Sequence, residues 1–173
     1  LKPTRPTTHN NLGLALQERG DINAAIASFN KAIELNPNFT DAHFNLGNAL
    51  KEQGDLSAAI DSFNTALHLK PNFPDAHINL GNALQEKGDL TAVIATCNKA
   101  LELIPNFPEA HFNLGNALKE QGDLSAAIDS FNRALQLKSN FQEARSNLGA
   151  ALYEQDNLTA ATAAYNTAIE LTP

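Results

Sequence analysis

His9, His43, His77 and His111 return every 34 residues, and they are the first side chains in this 173-residue chain whose type could do chemistry. Imidazole is a common metal ligand, but a zinc ion needs each nitrogen at ~2.1 Å, whereas residues one repeat apart on packed helices stand ~8 to 10 Å apart. The spacing therefore predicts four separate histidines in half-buried slots and no metal site. Cys97 is the single cysteine, which excludes an internal disulfide framework and any cysteine-based zinc site. No Ser-His-Asp constellation, phosphate-cradling glycine loop or pair of catalytic carboxylates stands out. Every conspicuous residue falls in a repeated column, which a catalytic centre would not require. No catalytic residue, cofactor or enzymatic activity is expected.

Amides offer a different chemistry. Asn11, Asn45, Asn48, Asn79, Asn82, Asn113, Asn116 and Asn147 fill two further columns of the same period. A side-chain amide both donates and accepts, so a row of them can hold the N–H and C=O groups of an extended ligand without reading its side chains. Asparagine costs roughly 0.5 kcal/mol per helical site relative to alanine, so the eight forgo ~4 kcal/mol, close to the ~5 to 15 kcal/mol of a marginal domain. A ligand would offset that cost. The alternative is that the amides bond between neighbouring repeats and tie the array together.

The elements that must position these columns follow from the period itself. An Asn-Leu-Gly tripeptide recurs with Leu12-Gly13, Leu46-Gly47, Leu80-Gly81, Leu114-Gly115 and Leu148-Gly149, which divides the chain into repeats 6–39, 40–73, 74–107, 108–141 and 142–173. Residues 1–5 align with a repeat's end, so they read as the tail of a preceding repeat, and both ends look like cuts through a longer array. Two stretches even coincide letter for letter, from Ala42 and from Ala110, within a 68-residue superperiod that points to duplication of a repeat pair.

In each repeat Ala42, Leu46, Ala49 and Leu50 and their equivalents line one face of a first helix, helix A. Leu56, Ala59, Ile60, Phe63, Ala66 and Leu67 line a second, helix B. Gly54 suits the left-handed residue that ends helix A, and Asp55 or Ser57 can cap helix B. Pro71 stops helix B, while Pro74 and Pro108 suit a first helical turn. Cys97 replaces the core phenylalanine of helix B, and Val93 replaces an alanine one turn earlier, so the cysteine reads as a packing residue whose lost volume is partly restored.

On helix A, Asp41, Asn45, Asn48 and Glu52 lie at i, i+4, i+7 and i+11 and form one polar stripe. Asp75, Asn79, Asn82 and Glu86 repeat it, then Glu109, Asn113, Asn116 and Glu120, then Glu143, Asn147 and Glu154; the first repeat keeps Asn11 and Glu18. One repeat would match about three residues of an extended chain rising ~3.3 Å each. The acids on both borders predict a neutral or basic ligand. Phe44, Ile78 and Phe112, one turn before Asn48, Asn82 and Asn116, read as packing against the neighbouring helix, with apolar pockets beside the ladder as the alternative. Asn30, Asn64, Asn98, Asn132 and Asn166 on helix B read as a solvated face.

A net charge of −7 and a pI near 5.1 oppose phosphate backbones and anionic lipid, so neither nucleic acid nor membrane is expected as a partner. No window approaches ~18 consecutive apolar residues, and the start LKPTRPTTHN has no signal-peptide core. With the lone cysteine, this suggests a cytoplasmic rather than secreted location.

Leu46-Gly47, Ala59, Phe63, Ala66 and Pro71 match the signature columns of the tetratricopeptide repeat (TPR), which the whole chain resembles. Histidines and Arg145 in the usual tryptophan column, Ser139 in place of a proline and Asp156-Asn157 in place of the Gly-Asp turn depart from it; the last turn should be less rigid. The resemblance implies an all-α solenoid of five helix-turn-helix repeats, wound into a right-handed superhelix whose concave wall is helix A. The asparagine column is similar to the ladder of O-linked N-acetylglucosamine transferases, which implies binding of an extended polypeptide through its backbone. TPR domains that clamp chaperone C-termini carry lysines and an arginine on helix A, where this chain has Asp, Glu, Phe, Ile and Asn.

The expected function is thus a non-enzymatic interaction scaffold holding an extended neutral or basic peptide in a concave groove. A second reading makes the chain the substrate-recruiting arm of a transferase such as a glycosyltransferase. A third is end-to-end self-association through the uncapped last helix, whose apolar face includes Ala161, Ala168 and Ile169.

Overall fold

The computed structural model describes residues 5–170, and they form ten α-helices. The chain divides into two compact units, the first ending at Lys87 and the second beginning at Gly88. The first holds α1 (Pro6–Glu18), α2 (Ile22–Leu35), α3 (Thr40–Gln53), α4 (Leu56–Leu69) and α5 (Pro74–Glu86). The second holds α6 (Leu90–Leu103), α7 (Pro108–Gln121), α8 (Leu124–Leu137), α9 (Gln142–Glu154) and α10 (Leu158–Glu170). The all-α class is as expected, with helix A of successive repeats in α1, α3, α5, α7 and α9. The reading of residues 1–5 as the tail of another repeat rests mainly on Leu1 to Thr4, outside the described residues.

Within the first unit α1 packs on α2 and α3 on α4, while α2 meets α3 and α4 meets α5; the second unit repeats this with α7 on α8, α9 on α10, and α6 and α8 against the following helices. Each hairpin turns on one residue of positive φ: Gly20 (84°), Gly54 (91°), Gly88 (79°) and Gly122 (89°). Asp156, at 65°, is the non-glycine that takes this conformation in the last turn. The side chains of Asp55, Asp89 and Asp123 then accept from the N–H groups of Ala58, Ala92 and Ala126 at 3.0 to 3.1 Å, so of the two capping candidates it is the aspartate that closes helix B. Asn157 does the same for Ala160 at 3.3 Å. Asp21 instead pairs with Arg19.

The core is a small-residue seam, penetrated by a phenylalanine ring in the first, second and fourth repeats. Phe29, Phe63 and Phe131 are fully buried, flanked by Ala25, Ala32, Ala59, Ala66, Ala127 and Ala134. Each ring lies where a side chain on the facing helix-A glycine would stand: a Cβ on Gly13, Gly47 or Gly115 would come within 2.4 to 2.6 Å of Phe29, Phe63 or Phe131. Helix A and helix B can approach this closely only because that position carries no side chain. Val93 is fully buried and Cys97 buried beside it on α6, in keeping with the packing role expected of both. Phe44 stacks between Phe63 and Phe73, with ring centroids 6.0 and 4.8 Å away, and Phe112 sits likewise between Phe131 and Phe141. They therefore serve packing rather than open pockets.

On α10, Ala161 and Ala168 are buried, which corrects their assignment to a bare apolar face; small side chains fit the contact with α9 that larger ones would obstruct. The exposed apolar groups of that helix are Leu158, Tyr165 and Ile169. Residues 171–173, the last of the fifth repeat, lie outside the described residues.

Candidate functional site

The polar stripe of helix A is built by the same turns that bury its apolar face. In the first unit Asn45 and Asn48 of α3 and Asn79 and Asn82 of α5 are half-buried; in the second, Asn113 of α7 is buried and Asn116 and Asn147 are half-buried. Their amides connect successive helices A. Nδ2 of Asn79 donates to Oδ1 of Asn48 at 2.7 Å, and Nδ2 of Asn147 donates to Oδ1 of Asn116 at 2.7 Å. The two asparagine columns thus pair with each other, one repeat apart. Each such bond consumes one donor of the later residue and one acceptor lone pair of the earlier, which fixes both amide planes. Asn79 and Asn147 keep their Oδ1 as acceptors, and Asn48 and Asn116 keep their Nδ2 as donors.

The first rung differs from the sequence reading. Asn11, expected there, is exposed, and Nδ2 of Asn45 donates instead to Oδ1 of the neighbouring Asn10 at 3.0 Å. Asn10 is 6% exposed. The equivalent of Asn48 in this repeat is Leu14, which cannot accept, and Asn10 sits one turn before it on the same face. Column alignment concealed Asn10 because its equivalents are Phe44, Ile78 and Phe112; the i, i+4 relation to the interrupted position was the signal that could have found it.

The acidic borders are present but not bare. Asp41, Asp75 and Glu143 are exposed at the start of their helices, while Glu109 is half-buried and pairs with Lys138 at 3.0 Å. At the other border Glu52 accepts from Gln17 at 2.9 Å, Glu86 faces Lys51 at 3.6 Å and Glu154 faces Lys119 at 3.7 Å; Glu18 and Glu120 are exposed. These contacts again join one helix A to the next. As exposed pairs they are worth ~0 to 1 kcal/mol, and they offset part of the charge that a basic ligand would see.

Three of the four histidines bond to backbone instead. Nε2 of His43, His77 and His111 meets the carbonyl of Pro37, Pro71 and Pro105 at 2.8, 2.8 and 3.2 Å, and Nη2 of Arg145 reaches the equivalent carbonyl of Ser139 at 2.8 Å. The column pins the start of helix A to the loop before it, and arginine conserves that contact by reach. The helix-B asparagines Asn30, Asn64, Asn98, Asn132 and Asn166 are all exposed, as expected.

Repeated two-helix units with a small-residue seam and a polar column on helix A define a helical-repeat protein. The chain belongs to the tetratricopeptide repeat family: a family model described as TPR repeat matches residues 15–54, 47–88, 86–122 and 115–156, and one described as tetratricopeptide repeat matches residues 142–173. No curated protein matches it in sequence. Among solved structures it is similar to MamA from Desulfovibrio magneticus RS-1, with 20% identity, a TM-score of 0.86 and coverage of 96% of this chain and 94% of that one. It is similar also to the pilF protein of Pseudomonas aeruginosa, with 21% identity, a TM-score of 0.82 and coverage of 97% and 77%. YrrB, described as a TPR protein with an unusual peptide-binding site, shares 25% identity with a TM-score of 0.77 over 95% of this chain and 85% of that one.

Proposed function

We propose that this protein is a non-enzymatic interaction scaffold that holds an extended, neutral or basic peptide along the asparagine columns of helix A. TPR family membership supports the scaffold role, and the peptide-binding site described for the similar YrrB supports a peptide as the ligand. The observation that carries the reading is the orientation of the paired amides. The bond from Asn79 to Asn48 at 2.7 Å leaves one acceptor and one set of donors beside each other, and these complement the N–H and C=O that every peptide residue offers. The asparagines therefore tie neighbouring helices and remain able to bind, so the two roles are compatible. Asp41, Asp75 and Glu143 bias the site toward basic residues, to the extent that salt does not screen them.

Asn48→Asp separates these roles. Aspartate keeps an oxygen to accept from Asn79 but loses the outward N–H donors. Titration of a blocked neutral peptide, such as an alanine-serine decamer, should show ~5- to 10-fold weaker binding to this variant, the value of one or two lost hydrogen bonds. Affinity equal to that of the unaltered protein would leave the column with a structural role alone.

One observation favours a second reading, self-association. Leu12 on α1 is 49% exposed and Ile169 on α10 is 69% exposed, whereas Leu46, the equivalent of Leu12, is 8% exposed against α2. A second copy would cover Leu12 and Ile169 by the same helix-on-helix contact. Sedimentation of the chain should then show a concentration-dependent increase in mass, and a monomer at ~1 mM would exclude an affinity of practical strength.

A further inference from the structure

The second unit has a cavity of about 560 Å³ at the junction of α8 and α9, lined by Asp129, Asn132, Arg133, Gln136, Arg145 and Leu148. It is separate from the asparagine column, because Arg145 precedes Asn147 by two residues and so stands ~200° away around α9. Neither guanidinium forms an ion pair, although Asp129 lines the same cavity. Arg133 donates through Nη1 to Oε1 of Gln136 and through Nη2 to Oδ1 of Asn106, both at 3.1 Å, and Arg145 donates through Nη2 to the Ser139 carbonyl. All three acceptors are uncharged. Nε of Arg145 is buried with no hydrogen-bond partner. By contrast Arg19, Lys31, Lys51, Lys119 and Lys138 each meet a carboxylate.

A pair of arginines lines this cavity in a chain with 19 acids against 12 bases. It is also peculiar to this junction, since the other repeats place histidine at the position of Arg145. The charge of Arg133 is felt nearby: the pKa of His111 is lowered, first by burial and further by this guanidinium, against the upward pull of its bond to Pro105.

We infer that this cavity binds a carboxylate, supplied by an acidic side chain of a protein partner. Guanidinium groups match the planar, two-oxygen acceptor of a carboxylate, and the side-chain amides of Asn132 and Gln136 add neutral donors at the same mouth. The charge selects the ligand further. Two arginines and Asp129 leave the lining at a formal +1, which a monoanion cancels, whereas a phosphate dianion would meet Asp129 with charge left over. The site would thus anchor one acidic residue of a partner at a single repeat junction, while the helix-A columns treat all residues alike.

Three probes test this by nuclear magnetic resonance titration of the backbone amides of residues 124–148: the blocked tripeptide acetyl-Gly-Glu-Gly-amide, its glutamine counterpart and inorganic phosphate. The glutamate peptide should give saturable shifts confined to α8 and α9 with a Kd in the ~1 to 10 mM range of a single-residue contact, and phosphate should bind more weakly. Arg133→Gln and Arg145→His should each weaken the glutamate peptide at least ~10-fold, the value of a charged hydrogen bond. Arg145→His installs the residue that four other repeats carry, so its fold is secure. Shifts that do not saturate, equal binding of the glutamine peptide, tighter binding of phosphate, or unchanged affinity in Arg145→His would each overturn the assignment.

Discussion

Nδ2 of Asn45 on α3 donates to Oδ1 of Asn10 on α1 at 3.0 Å, one helical turn before the position from which Asn48 and Asn116 accept in their own helices. The amide link between successive helices A survives the replacement of its usual asparagine acceptor by Leu14, by moving one turn along the same face. Asn10→Ala should lower stability by ~1 to 2 kcal/mol, since it leaves the Asn45 amide partly desolvated without its acceptor. Leu14→Asn in that background should return much of the loss, because Leu14 is exposed and its replacement restores the usual geometry. Urea unfolding of the parent and the two variants measures both effects, and an Asn10→Ala midpoint equal to that of the parent would show that the link carries no energy.

The contact between Gly47 and Phe63 is the tightest test of the packing argument. A Cβ on Gly47 would lie 2.6 Å from Cε1 of Phe63, a fully buried ring. Gly47→Ala should therefore cost ~1 to 3 kcal/mol although alanine has the higher helix propensity. Adding Phe63→Leu should make the pair less unstable than the sum of the two single changes, which a double-mutant cycle by denaturant unfolding reads directly.

Burial raises the thiol of Cys97 from its usual value near 9.0 to about 12. At pH 8 the nucleophilic thiolate is then a fraction of ~1 in 10,000 of the folded protein. An aromatic disulfide reagent should label Cys97 only as the chain unfolds, with a rate that rises with urea. Prompt labelling in native buffer would contradict its placement in the core.

Asp156 holds the last hairpin turn at φ 65°, where the other four turns use glycine. L-residues are strained there, though aspartate tolerates the region better than most, so Asp156→Gly should raise stability by ~0.5 to 1 kcal/mol. Thermal unfolding followed by circular dichroism should show an upward shift of a few degrees. A fall would mean that the aspartate side chain contributes more to the turn than its backbone strain costs.

Much of the fold was legible in the sequence because it repeats. Gly54 as the left-handed stop, Asp55 as the cap, Pro74 and Pro108 at first turns, and the buried face of Leu46, Ala59, Phe63 and Ala66 all stand where local rules place them. The columns Asn45, Asn79 and Asn147 were legible for the same reason. Asn10 was not, because its partnership depends on a leucine elsewhere breaking the column. The pairing of Glu86 with Lys51 and of Glu154 with Lys119 escaped notice too, since each joins residues 35 positions apart on different helices.

The sequence by itself determined the helices, their ends and the faces they bury, because the i, i+4 periodicity, glycine and proline act within one turn of the chain. Tertiary packing decided which amide meets which. A shift of one helical turn moves a side chain ~5.4 Å along the axis, and only the register of one helix against the next can say whether that brings Asn45 to Asn10 or to the position of Leu14. The same register brings Arg133 and Arg145, from two helices, to the wall of one cavity.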